Sequence, residues 1–244
     1  MIFRLATDPE APFPDTQWAL QEPNGLLALG GDLQPARLLH AYRQGIFPWF
    51  GPHDPILWWT PDPRLVLYPG NAHLARRLAR TLRRQRPRLT ADQCFEAVID
   101  GCAAPRPGQP GTWITPPMRT AYCRLYRLGY AHSVEVWYGS TLAGGLYGVV
   151  LGRAFFAESM FSRQTDASKT ALLGLSRQLR EWQFTCIDCQ LPNPHLERMG
   201  AVAISRARFE SLLGEAVDND APDPGEWAPA FHSLRPEQWR SGPV

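Results

Sequence analysis

Three polar side chains interrupt two apolar, strand-like runs, and they are the groups best placed to do chemistry in this sequence. Glu158 lies within Ala154–Phe155–Phe156–Ala157–Glu158–Ser159–Met160–Phe161–Ser162, at a point where a buried strand would carry another apolar residue. Asp188 and Gln190 end the run 184–190. Two apart in a strand, they are expected on one face of the sheet. A carboxylate in such a setting needs a partner, because removing its charge from water is costly. The partner is either a substrate or one of the many arginines, and both readings stand on these residues alone.

Two further clusters point to nucleic acid. Trp49, Trp58 and Trp59 fall within a short stretch rich in proline, which forbids a regular helix and rigidifies the segment. Displayed indole faces can stack nucleobases at roughly 1–3 kcal/mol each. Trp49, beside a turn, is the better candidate for a displayed ring, while Trp58 and Trp59 fit an ordinary core role. In the helix expected over 73–84, Leu74, Leu78 and Leu82 recur every fourth residue. Arg76, Arg77, Arg80, Arg83 and Arg84 fall on the other side without acidic partners. Like charges so placed repel one another, and a basic stripe of this kind is the usual footprint of phosphate binding.

The elements that must position these groups follow from periodicity and turn residues. Helices are expected over 35–44, over 90–102 behind a capping box at Thr90–Ala91–Asp92–Gln93, and from Thr115 to the stop at Gly129. Gly30–Gly31 reads as a tight turn, since the Gly-x-x-x-x-Gly-Lys phosphate loop is absent. Residues 105–111 read as a loop. Strands over 133–137, 141–150 and 154–161 form an antiparallel meander. A helix over 168–182, the strand 184–190, a short helix over 194–199 and a strand at 203–205 follow, and the chain from Asp218 reads as irregular. This order is that of an acyltransferase core of the acetyltransferase type, in which an amine attacks an acyl group held where two strands splay. The turn before the central helix, Ser162–Arg163–Gln164–Thr165–Asp166, has no glycine to let its backbone approach a pyrophosphate. That argues against coenzyme A as donor.

The bulk numbers exclude several classes. The 244 residues carry a net charge of only +2, so the chain as a whole is not a polyelectrolyte binder. Lysines and arginines total 25 and the only lysine is Lys169, leaving 24 arginines; this bias reads as a GC-rich coding signature. No apolar run approaches the ~20 residues of a membrane span, and the N-terminus lacks the apolar core of a signal peptide. Five irregularly spaced cysteines point to reduced thiols in the cytosol. Cys186 and Cys189 form a C-x-x-C, but no second pair at ligand spacing completes a metal site.

A longer set of motifs carries a family resemblance. Glu22–Pro23–Asn24–Gly25–Leu26–Leu27–Ala28, Gly45–Ile46–Phe47–Pro48–Trp49, Trp58–Trp59 with Pro61–Asp62–Pro63–Arg64, Thr112–Trp113–Ile114, Gly144–Gly145–Leu146–Tyr147–Gly148, Glu158–Ser159–Met160–Phe161–Ser162 and Ile187–Asp188–Cys189–Gln190 together resemble leucyl/phenylalanyl-tRNA–protein transferases. The resemblance implies an α+β protein, with a small N-terminal domain over 1–62, an acetyltransferase-like (GNAT-type) domain with a mixed, mostly antiparallel sheet over 63–217, and a tail over 218–244. It implies transfer of leucine or phenylalanine, with methionine a third candidate, from aminoacyl-tRNA to the N-terminal arginine or lysine of a protein. That transfer marks the acceptor for degradation by the N-end rule. Aminoacyl-tRNA is then a co-substrate and no cofactor or metal is expected. A cytoplasmic monomer without membrane contact is the simplest form.

The same resemblance assigns roles. Trp49 and Trp113 would sandwich the terminal adenine, with Tyr42 and Tyr122 lining that site. Leu146 and Phe155 would form the pocket for the aminoacyl side chain. Arg76, Arg77, Arg80, Arg83 and Arg84 would meet the acceptor stem. Glu158, Asp188 and Gln190 would receive the acceptor: Gln190 holds the amine, Asp188 orients Gln190, and Glu158 pairs with the acceptor's cationic side chain. Phe155 and Glu158, three apart, share a site only if a β-bulge intervenes. Three rivals differ in donor, acceptor or catalysis: a coenzyme A-dependent N-acetyltransferase, an enzyme adding amino acids from tRNA to cell-wall peptides, and a non-catalytic RNA-binding module.

Overall fold

The computed structural model describes residues 2–8, 11–105 and 112–243; most of the expected loop at 105–111 lies outside them. Two sheets organise the chain. The smaller has strand order β1-β2-β4-β3 and is built from β1 (Phe3–Leu5), β2 (Leu26–Gly30), β3 (Phe47–Pro48) and β4 (Leu57–Trp59), with α1 (Pro35–Arg43) between its second and third strands. Beyond it come β5 (Arg64–Leu67), β6 (His73–Leu74), α2 (Arg76–Gln85), β7 (Arg88–Ala91), α3 (Phe95–Ala103) and α4 (Pro116–Arg127). The meander follows as β8 (Ala131–Tyr138), β9 (Thr141–Leu151) and β10 (Ala154–Ser162), then α5 (Ala167–Glu181) and β11 (Cys186–Gln190). The chain closes with α6 (Pro194–Glu197), β12 (Val202–Ile204), α7 (Arg206–Val217), α8 (Trp227–His232) and β13 (Gly242–Pro243).

The larger sheet runs β12-β5-β11-β10-β9-β8-β7. Only β10 and β11 pair parallel; every other neighbouring pair is antiparallel, so the α+β class and the mixed, mostly antiparallel sheet are as expected. One face packs on α3, α4, α1 and the small sheet, so that Leu27, Tyr42 and Trp58 share a core with Phe95, Tyr122, Tyr147 and Phe156. The other face packs on α5, with Leu172, Leu175 and Leu179 against Val134, Leu146 and Phe155. Gly148 lets these layers close: a Cβ there would collide with the Phe155 ring and the Phe156 carbonyl.

Three local expectations fail because a tertiary partner overrides the local signal, and one helix lies where the sequence reading gives no element. His73 and Leu74 form a strand with β13, and the His73 N–H donates to the Met199 carbonyl, so the basic helix starts at Arg76. Thr90 is a strand residue whose hydroxyl donates to the buried Glu135, and Asp92 accepts from the Ser133 N–H, so the expected capping box is not one and the helix opens at Phe95. The segment 206–217, given no element in advance, is a helix capped by Ser205. The tail, expected to be irregular, forms α8 and buries Trp227, Phe231 and Trp239 in the core. Its Trp227 stacks on His132 at 4.0 Å between centroids. No described helix is long and apolar enough to cross a membrane.

Candidate active site

The site lies where two parallel strands part. β10 and β11 pair at Ala154 with Cys186, Phe155 with Ile187 and Phe156 with Asp188, and no further. Beyond that point Ala157 to Met160 line one wall of a cavity of about 480 Å³, and Cys189 to Asn193 line the opposite wall. Apolar side chains of Leu146, Met160, Leu172 and Leu196 meet Glu158 and Gln190 there. Such a cavity can hold an aliphatic or aromatic side chain beside a polar reacting group.

A bulge falls at the carboxylate. Ala157 pairs with Gly148 and Ser159 with Tyr147, which leaves Glu158 as the extra residue on β10. Two residues after Phe156, it shares that residue's face, as in a regular strand, and meets two tyrosines; the bulge turns Ser159, the next residue, to the same face. The Tyr42 hydroxyl donates to Oε1 at 2.7 Å and the Tyr122 hydroxyl to Oε2 at 2.6 Å, while the two hydroxyls lie 2.8 Å from each other. Two hydroxyls carry only two protons, and both are directed at Glu158 here; the contact between the hydroxyls becomes a hydrogen bond only when the carboxyl is protonated and returns a proton to one tyrosine. Burial accordingly pushes the Glu158 pKa up to about 7, opposed by the hydrogen bonds from Tyr122 and Tyr42. Both tyrosines are fully buried, and burial followed by the nearby Glu158 charge raises their pKa values well above the usual range. With no exposed surface they cannot line a nucleotide site, which corrects that expectation; they hold Glu158 from below.

Asp188 is the arginine-paired carboxylate that the sequence left open. Arg64 Nε donates to Oδ1 at 2.8 Å and Arg64 Nη2 to Oδ2 at 2.7 Å, both side chains being fully buried. The guanidinium sits between the rings of Phe47 and Phe209, 4.9 and 4.4 Å from their centroids, and also donates to the Gly45 carbonyl. Asp188 does not reach the cavity, so it cannot meet an acceptor directly. It acts on Gln190 through the backbone: Oδ1 accepts the Gln190 N–H at 3.0 Å. The register shifts between Asp188 and Gln190, and Gln190 adopts the left-handed region at φ +58°, so strict strand alternation fails there. The Gln190 side chain lines the cavity, and its amide nitrogen is buried without a hydrogen-bond partner among the described residues. Such an unsatisfied donor is rare in a folded interior.

Phe155 is also corrected. It is fully buried and packs towards Trp227, 6.1 Å between centroids, on the face of the sheet opposite Glu158. A bulge exists, but it falls at Glu158 and not before it, so the regular alternation from Phe155 to Glu158 leaves the two on opposite faces. Leu146 does line the cavity, together with Met160, Leu172 and Leu196, to which the motifs give no pocket role. Their spacing on β10, α5 and α6 carries no local signal, because only the fold brings them together.

A second cavity of about 500 Å³ adjoins the first, with Phe50, Leu57, Trp59 and Thr112 among its walls. Trp49 and Trp113 line both. Trp49 is 41% exposed and is anchored by the Trp59 indole N–H, which donates to its carbonyl at 2.6 Å. Trp58 is buried in the core. On α2, Leu78, Ala79 and Leu82 are buried, whereas Arg76, Arg77, Arg80, Arg83 and Arg84 are exposed and none forms an ion pair among the described residues. Arg76 and Arg77 even occupy the positive end of the helix dipole, an arrangement that costs stability and suits an anionic partner. Arg77 and Arg84 share a polar recess of about 580 Å³ with Arg163, a basic residue that sequence reasoning missed.

Comparison with known proteins gives the arrangement its context. The family model described as leucyl/phenylalanyl-tRNA protein transferase matches residues 66–214, and that of the N-terminal domain of the same family matches 31–62. A leucyl/phenylalanyl-tRNA–protein transferase of Alkalilimnicola ehrlichii is 57% identical over 86% of this chain and 82% of its own length. Those of Cellvibrio japonicus and Aromatoleum aromaticum are 53% and 54% identical, over 92% and 93% of this chain and 94% and 95% of their own. Among solved structures, a GCN5-related N-acetyltransferase from Kribbella flavida aligns at a TM-score of 0.33 and 11% identity, covering 70% of this chain and 61% of that one. The family models take in the strands and helices around the cavity between β10 and β11, and on these matches the chain belongs to the leucyl/phenylalanyl-tRNA–protein transferase family.

Proposed function

We propose that this enzyme takes leucine or phenylalanine from aminoacyl-tRNA and joins it to the N-terminal arginine or lysine of a protein, creating an N-end rule degradation signal. The observation that carries this reading is the apolar cavity between β10 and β11, in which Leu146, Met160 and Leu172 face Glu158 and Gln190 beneath two tryptophans. An apolar side chain, a cationic acceptor and a nucleobase each find a matching surface there. Methionine, also unbranched at Cβ and apolar, is a third donor side chain that the cavity suits.

The aminoacyl ester is already activated, so its aminolysis runs downhill and calls on no cofactor. An α-amino group has a reference pKa near 8, which leaves a useful neutral fraction at physiological pH. The amine nitrogen attacks the ester carbonyl, the bond to the ribose oxygen breaks, and the proton lost from nitrogen ends on that oxygen. Gln190 holds the amine through its side-chain oxygen, and Asp188 fixes the backbone that carries Gln190. Glu158 releases its proton to water as the acceptor's guanidinium or ammonium arrives, forming a charge-assisted pair. Its carboxylate keeps lone pairs free for that cation after accepting from Tyr42 and Tyr122. Trp49 and Trp113 stack the terminal adenine, and the α2 arginines, joined by Arg163, bind acceptor-stem phosphates. Positioning supplies most of the acceleration, for which effective molarities of ~10⁵ M or more are attainable. A cytoplasmic monomer suffices for this chemistry.

The test is direct. Leucyl-tRNA and a peptide beginning with arginine are incubated with the protein, and the peptide mass is read afterwards. A gain of one leucyl residue on that peptide, and none on one beginning with a neutral residue, is expected. Leucine transfer with no dependence on the first residue would overturn the acceptor assignment, and no transfer at all would overturn the function.

A further inference from the structure

The two cavities meet at three residues: Trp49, Trp113 and Ser159 line both. The two tryptophans offer flat rings. Ser159 offers a hydroxyl, and it makes no hydrogen bond to another described residue although it is half-buried. Its place is set by the bulge. With Glu158 as the extra residue, Ser159 pairs with Tyr147 and falls on the same face of the sheet as Glu158, directly after it. An unbulged strand would turn consecutive residues to opposite faces. The bulge therefore aims two consecutive polar side chains at one opening.

The donor suggested above has a matching shape. An aminoacyl-adenosine end carries two bulky parts, a flat base and an apolar side chain, joined by a narrow ribose and ester. The cavity walled by Phe50, Leu57 and Trp59 suits the first part, and the one walled by Leu146, Met160 and Leu172 suits the second. What lies at their junction is the joint between the parts. It is rich in oxygen and includes the carbonyl to be attacked. Resting on the proposed donor, we infer that the Ser159 hydroxyl hydrogen-bonds the ribose–ester joint of the aminoacyl-tRNA end and so fixes the reacting carbonyl beside Glu158.

Ser159→Ala and Ser159→Cys test this on the full chain with leucyl-tRNA as donor and an arginine-initiated peptide as acceptor. The cysteine variant keeps the volume but replaces a strong hydrogen-bonding group with a weak one. Both variants are expected to lose about tenfold in kcat/KM for the donor, the size of one hydrogen bond, with acceptor KM unchanged and a melting temperature equal to that of the unsubstituted enzyme. The same loss is expected with a 3′-leucyl-adenosine fragment, which lacks the acceptor stem. A Ser159→Cys enzyme within twofold of the unsubstituted one, or a loss that resides in acceptor KM, would overturn the assignment. If the unsubstituted enzyme moves no leucine, the proposed function has failed and this assignment falls with it.

Discussion

Replacing Asp188 separates a chemical role from an architectural one. Its carboxylate takes two hydrogen bonds from Arg64 in a fully buried setting and a third from the Gln190 N–H. Removing it strands a guanidinium between two phenyl rings with the Gly45 carbonyl as its remaining acceptor. Breaking a buried pair in this way costs about 3–5 kcal/mol. For a chain of this size each kcal/mol moves Tm by roughly 2–4 °C, so Asp188→Ala should melt roughly 6–20 °C lower. Asp188→Asn keeps the shape and an oxygen for the Gln190 N–H; it should lose a large part of that stability while holding kcat within about tenfold at a temperature where it is folded. Replacing both partners, as Arg64→Met with Asp188→Leu, should recover part of the lost stability, because the uncompensated charge is gone. Thermal melts followed by circular dichroism, with steady-state kinetics on the same samples, read both quantities. An Asp188→Asn enzyme with unchanged Tm and kcat down a hundredfold or more would refute the reasoning and return Asp188 to the reacting centre.

Other outcomes follow from the same geometry. A desamino-arginyl peptide, which has no titrating amine, should bind more tightly as pH rises through about 7 and Glu158 ionises, and Glu158→Gln should flatten that dependence. The carboxyl's raised pKa also means that the stability it contributes is complete below its unfolded value near 4.5 and is lost as pH rises through about 7; urea melts at pH 5 and pH 8 should differ less for Glu158→Gln than for the unsubstituted chain. Trp113→Ala should raise donor KM by the worth of one base stack, about 1–3 kcal/mol or roughly five- to 160-fold, with acceptor KM unmoved in initial-rate assays. Neutralising Arg80 and Arg84 should weaken donor binding and lower its salt slope by about one for each phosphate no longer neutralised, measured by filter binding of tRNA from low to moderate salt.

Much of this site is legible from residue types because its chemistry is local. A carboxylate in an apolar strand, tryptophans among prolines and an arginine stripe on a leucine-spaced helix each announce themselves. What the sequence conceals depends on distant partners or broken periodicity. The alternation rule pairs Asp188 with Gln190, and the register shift between them cancels it. A bulge would be needed to bring Phe155 beside Glu158; one exists, but it comes too late in the strand and changes the face of the residues after Glu158 instead. Tyr42 and Tyr122 carry one polar atom on a large apolar ring, so the sequence does not say whether that atom faces a ligand or a buried neighbour. Arg64, next to a proline, looks like a turn residue, and only the pairing of β5 with β11 brings it to Asp188. In the tail, Trp227 and Phe231 stand four apart and could signal a helix, but the surrounding Pro, Asp and Gly content masks them.

The bulge in β10 has a corollary for how such enzymes lose activity. Because the ladder passes from Ala157 to Ser159 without using Glu158, excising that single codon would leave an ordinary strand with its pairing intact. Tyr42 and Tyr122 would lose their acceptor yet still have each other at 2.8 Å. A well-folded descendant without this carboxylate thus lies one in-frame deletion away.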